Sequence, residues 1–102
     1  EIRYYFVKGN KDFERAAILT KQGEWDQASE IWKPYVNHID KEIASRAAYN
    51  LALANELDGR FIKAIGWAER SNQIKWKSRT TRYINRLKER QEQLEKIQEQ
   101  VY

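Results

Sequence analysis

In the middle of the chain, apolar residues recur at spacings of three and four. Ala48, Leu51, Ala52, Ala54 and Leu57 fall on one stripe of a 3.6-residue helix. None of them is β-branched, so nothing there favours a strand. Asp58-Gly59 follows, and a glycine directly after such a run can close a helix in the left-handed conformation without a Cβ clash. Phe61, Ala64, Ile65, Trp67 and Ala68 resume the spacing at once. That leaves room only for a tight reversal, and predicts two antiparallel helices folded on each other.

The same design stands upstream. Phe13, Ala16, Ala17 and Leu19 predict a helix from Lys11 to Gln22, closed at Gly23, and Trp25, Ala28, Ile31 and Trp32 open a second. Ala16 pairs with Ala52, Gly23 with Gly59, Trp25 with Phe61 and Ala28 with Ala64, each pair 36 positions apart. A helix-turn-helix repeated at such a period is the pattern of a stacked helical repeat. Small residues at the four alanines let helices approach closely, while Trp25 and Phe61 fill the space beside each turn. Pro34 lacks an amide donor, so the helix begun at Trp25 is expected to kink or end near Lys33. His38 to Lys41 connects the copies, with Asp40 as the expected N-cap. After Ser71 the segment SNQIKWK reads as a link. A long helix then runs from about Ser78 to Gln100, its stripe of Tyr83, Ile84, Leu87, Leu94, Ile97 and Val101 interrupted by Arg90 and Gln91. Its first half is expected to pack on the second hairpin. Its second half projects, forms a coiled-coil stub that self-associates, or docks on a partner. Residues 1–9, rich in aromatic and β-branched groups, suit a strand or the end of a helix equally, and read as the end of an upstream region.

Composition narrows the chemistry. With no Cys in 102 residues there is neither a disulfide framework nor a thiolate metal site, and one His, His38, is a poor start for a zinc centre. No apolar run approaches the roughly 20 residues that span a bilayer. Residues 1–74 carry 11 basic and 11 acidic side chains, whereas residues 75–102 carry 8 and 4, so the whole net charge of +4 lies in the last segment. A basic terminal helix points to an anionic neighbour, nucleic acid or a membrane surface, or else simply to a solvated outer face.

With these positions in view, Gly23-x-Trp25-x-x-Ala28 and Gly59-x-Phe61-x-x-Ala64 resemble the turn and second helix of tetratricopeptide repeats, and Ala16 and Ala52 match that family's small first-helix position. Arg15, where that family carries Leu, and the early proline depart from it. The resemblance implies an all-α fold of two antiparallel hairpins, residues 11–38 and 40–73, stacked in a right-handed solenoid. A C-terminal helix over 78–100 would cap the stack. More narrowly, KDFERAAILTKQGEWDQASEIWKPY followed by RAAYNLALANELDGR is similar to the C-terminal repeat region of Bacteroides-type envelope lipoproteins. That similarity implies a lipidated cysteine and a further domain upstream, hence a cell-envelope location, and it implies no activity.

Tetratricopeptide arrays commonly hold a peptide or partner helix in a groove lined by the first helix of each repeat. Carried over by position, that groove would present Phe13, Ala17, Thr20 and Lys21 from the first copy and Arg46, Tyr49, Asn50, Leu53 and Glu56 from the second. Asn50 can donate and accept at once, which suits gripping a peptide backbone, though a buried polar residue more often satisfies a carbonyl between helices. Arg82 and Arg86, one turn apart, suit a carboxylate, or are merely solvated. Trp25, Trp32 and Trp67 read as core and Trp76 as the exposed aromatic. The basic residues between Lys75 and Arg90, interleaved with Trp76 and Tyr83, offer a second reading in which the terminal helix tracks a phosphate backbone or lies on a membrane. No nucleophile has a base at workable spacing and no glycine-rich loop follows a strand, so the chain reads as a non-catalytic scaffold without a cofactor.

Overall fold

The computed structural model describes residues 10–101. The expectation of strand or helix for residues 1–9, and the side chain of Val101, lie outside them. Every described element is helical: α1 Lys11–Lys21, α2 Trp25–Trp32, a 3-10 turn Lys33–Asn37, α3 Lys41–Leu57, α4 Phe61–Ile74 and α5 Ser78–Val101. No strand occurs among the described residues.

The two turns repeat each other bond for bond. Gly23 and Gly59 have φ of +79° and +76°. At the first, Gly23 N–H donates to Thr20 O (3.0 Å) and Glu24 N–H to Leu19 O (2.8 Å); at the second, Gly59 N–H donates to Glu56 O and Arg60 N–H to Asn55 O, both at 2.9 Å. This is a Schellman closure, which satisfies the last carbonyls of the preceding helix and aims the chain back along it. Each turn therefore closes a hairpin, α1 on α2 and α3 on α4, and the second hairpin also packs on α2 and the 3-10 turn of the first.

Burial explains the residue choice at the contacts. Ala16, Ala28, Ala52 and Ala64 are all wholly enclosed, as a side chain must be where two helices come close. Phe13, Trp32, Val36, Ala47, Ala48 and Leu51 make one apolar cluster between the hairpins, with Trp25 and Trp67 packed against it. A second cluster, Tyr49, Ala52, Ala64, Ala68, Tyr83, Ile84 and Leu87, fastens the first half of α5 to the second hairpin.

The ends of the elements follow the local chemistry. Asn10 caps α1 by accepting from Phe13 N–H at 3.0 Å, and Asp40 caps α3 by accepting from the amides of Glu42 and Ile43. At Pro34 the α-helix stops at Trp32 and the chain tightens into the 3-10 turn. One boundary differs from expectation, because α4 runs on through Ile74, so the link expected from Ser71 shrinks to Lys75–Lys77. Nothing in Ser-Asn-Gln-Ile breaks a helix, and Lys75 N–H closes the last turn on Ser71 O at 3.0 Å. Ser71 also serves the interior: its hydroxyl donates to Ser45 O at 2.8 Å and lies 3.1 Å from Ser45 Oγ, a small polar contact between α3 and α4. Among the described residues no helix is long and apolar enough to cross a membrane.

Candidate functional site

The inner face of the first helices is largely buried. Asn50 is 0 % exposed, and Tyr49, Leu53, Glu56, Ala17 and Thr20 are also buried. Phe13 belongs to the core between the hairpins and meets the Tyr35 ring edge-on, with centroids 5.5 Å apart. Tyr49 and Glu56 are taken up by α5, because the Tyr83 ring lies 5.1 Å from that of Tyr49 and its hydroxyl donates to Glu56 Oε1 at 2.8 Å. Thr20 spends its hydroxyl on Ala17 O at 2.7 Å. Phe13, Tyr49, Asn50, Leu53 and Glu56, expected to line a groove, are thus buried side chains. Of the set, Lys21 is exposed and Arg46 half-buried.

Arg46 is part of a charged junction instead. Its Nε lies 2.8 Å from Glu42 Oε1, and the same carboxylate receives Lys77 Nζ at 2.8 Å and Lys75 Nζ at 3.0 Å. Donation from Lys77, then from Lys75 and Arg46, outweighs partial burial and holds the Glu42 carboxyl at about 2. This junction ties the first turn of α3 to the link before α5. Arg82 and Arg86 are both exposed on α5, and Arg86 lies over the Tyr83 ring, 5.8 Å from its centroid.

An accessible concavity among the described residues lies between the second helix of the first hairpin and the second hairpin. It is an open cleft of about 370 Å³ with Leu51 and Ala54 on its floor. Asp26 and Glu30 of α2, with Lys33 at the start of the 3-10 turn, form one wall, and Asn55, Lys63 and Trp67 stand on the other side. A smaller hollow of about 210 Å³ adjoins it at the turns, where Glu24, Asp26 and Asp58 surround Trp25 and Leu57. An apolar floor between walls of alternating charge suits a peptide or a helix carrying both signs, which gains burial from the floor and orientation from the rim. The signal for the α2 wall was in the sequence: residues 26 and 30, one turn apart and both acidic, share a face of a helix whose other side is core, and Lys33 follows directly after it. Among the described residues no group of three or more His, Cys, Asp or Glu is gathered as a metal would require.

Residues 14–89 match the model of a family described as a domain of unknown function (DUF6340). No curated protein and no solved structure matches the chain.

Proposed function

For this chain, which belongs to the DUF6340 family, we propose a non-catalytic interaction domain: two tetratricopeptide-like hairpins in a right-handed stack, with α5 standing where a third hairpin would begin. It takes a peptide or a partner helix in the cleft between α2 and the second hairpin. What carries this reading is the repetition itself: two hairpins closed by the same turn 36 residues apart, meeting through enclosed alanines and leaving a charge-rimmed cleft where they join. Repeat units that bury one face against each other leave their other surfaces free for binding.

A photo-crosslinking residue at Ser29, on the cleft wall, tests it in the cells that make the protein. The expected result is a discrete adduct that is lost in Lys33→Glu/Lys63→Glu, with circular dichroism unchanged because both lysines are exposed. The same crosslinker at Gln93, on the outer part of α5, should give none. Equal adducts from both positions, or an adduct indifferent to the charge reversal, would remove the cleft as the binding surface.

A further inference from the structure

Two apolar side chains project from one end of the molecule, and local bonding holds each of them there. Trp76 is 66 % exposed and Ile39 92 % exposed. Trp76 sits in the three-residue joint between α4 and α5, pinned on both sides. Lys75 N–H donates to Ser71 O, and Lys77 N–H donates to Asn72 Oδ1 at 3.1 Å. The Asn72 amide holds Thr81 Oγ1 of α5 at 2.9 Å, and the lysines on either side of the indole both reach Glu42. Ile39 is held out in the same way: Asp40 N–H donates to His38 Nδ1 at 3.0 Å across it, while the Asp40 carboxylate caps α3. The two joints share one end of the fold, because Glu42, in the first turn of α3, is the anchor of Lys75 and Lys77, and Arg70 of α4 donates to Asn37 just before Ile39 at 2.9 Å. An exposed indole on a slack loop is ordinary; two bulky apolar groups on bonded joints at one end are not.

The surrounding charge is cationic. Lys41, Lys75, Lys77 and Arg79 lie in or beside the two joints in sequence, as do Asp40 and Glu42, four positive charges against two negative. From this we infer that this end docks on an anionic bilayer surface, with Trp76 and Ile39 entering the interfacial layer and the lysines meeting the headgroups. Indole side chains favour that layer, and juxtamembrane lysines are drawn to its negative potential. The fully aliphatic Ile39 distinguishes this partner from nucleic acid, since it has no face on which a base can stack. The inference uses a surface separate from the cleft and stands or falls independently of it.

Sedimentation of the whole chain with vesicles tests it, comparing pure phosphatidylcholine with phosphatidylcholine containing about 30 % phosphatidylglycerol at low salt. The chain is expected to pellet with the anionic vesicles and stay in solution with the neutral ones. Ile39→Ser/Trp76→Ser should weaken pelleting about tenfold, the scale of losing two interfacial apolar groups, and Lys41→Glu/Lys75→Glu should weaken it further. Both apolar positions are exposed, so an unchanged circular dichroism spectrum separates lost docking from lost folding. No pelleting with anionic vesicles would overturn the inference. So would pelleting that ignores Ile39→Ser/Trp76→Ser, or retention on a single-stranded oligonucleotide with no response to vesicles.

Discussion

A methyl group added at Gly23 or Gly59 would meet no atom within 4 Å, yet both residues hold a backbone φ near +80°. Space is therefore not what selects glycine there; handedness is. Gly23→Ala and Gly59→Ala should each lower stability by about 1 to 2 kcal/mol in chemical denaturation, with Asn in place of Ala recovering part of the loss. The reverse holds at Thr80, whose enclosed hydroxyl has no hydrogen-bond partner among the described residues. Thr80→Val keeps the shape and removes the unpaired group, so thermal denaturation should show a change between none and a gain of about 1 kcal/mol. At this scale glycine and alanine were legible in the sequence because their roles are local: one frees a dihedral, the other permits contact. Asn50 was not legible. A polar side chain inside a helix fits an open groove or a sealed interior equally well, and only the surrounding fold closes it in.

Helix ends are decided by side-chain bonds that a periodicity cannot display. The starts of α1 and α3 and the break at Pro34 were readable, since Asp40 and the proline act within their own turns. The extra turn of α4 was not, because its stop depends on Asn72 reaching forward to Lys77. The Glu42 junction is another such case, its cations arriving from α3 itself and from the distant link before α5. Its behaviour with pH follows from the sign of the shift. The Glu42 carboxyl lies at about 2 in the fold against an ordinary 4.5, so its ion pairs contribute in full above pH 4.5 and the contribution disappears as pH falls from there through 2. Glu42→Gln should lose roughly 1 to 2 kcal/mol at pH 7, discounted because Lys75 is half exposed. Its stability should then vary less with pH between 4.5 and 2 than that of the parent chain, measured by urea unfolding at successive pH values.

The described fold measures 47 × 30 × 22 Å, and α5 is about 36 Å long for its 24 residues. Its two halves do different work. Tyr83, Ile84 and Leu87 are buried against the second hairpin, whereas Leu94 and Ile97 are exposed. Deleting residues 92–102 should leave the unfolding free energy within about 0.5 kcal/mol of the full chain. Deleting from residue 78 would uncover Tyr49, Ala64 and Ala68 and should abolish the cooperative transition, followed by circular dichroism. The repeat period predicted the hairpins and where α5 meets them, but not which face remains accessible. That depends on the Tyr83 side chain reaching across to Tyr49 and Glu56, a contact encoded by no spacing.

The four tryptophans, from the enclosed Trp32 through the half-buried Trp25 and Trp67 to the outward Trp76, also give the protein natural lamps of different colour. An aqueous quencher such as iodide should dim the red edge of the emission first, while the blue edge holds until the chain unfolds. One unlabelled sample can thus report separately on its outer tip and its interior.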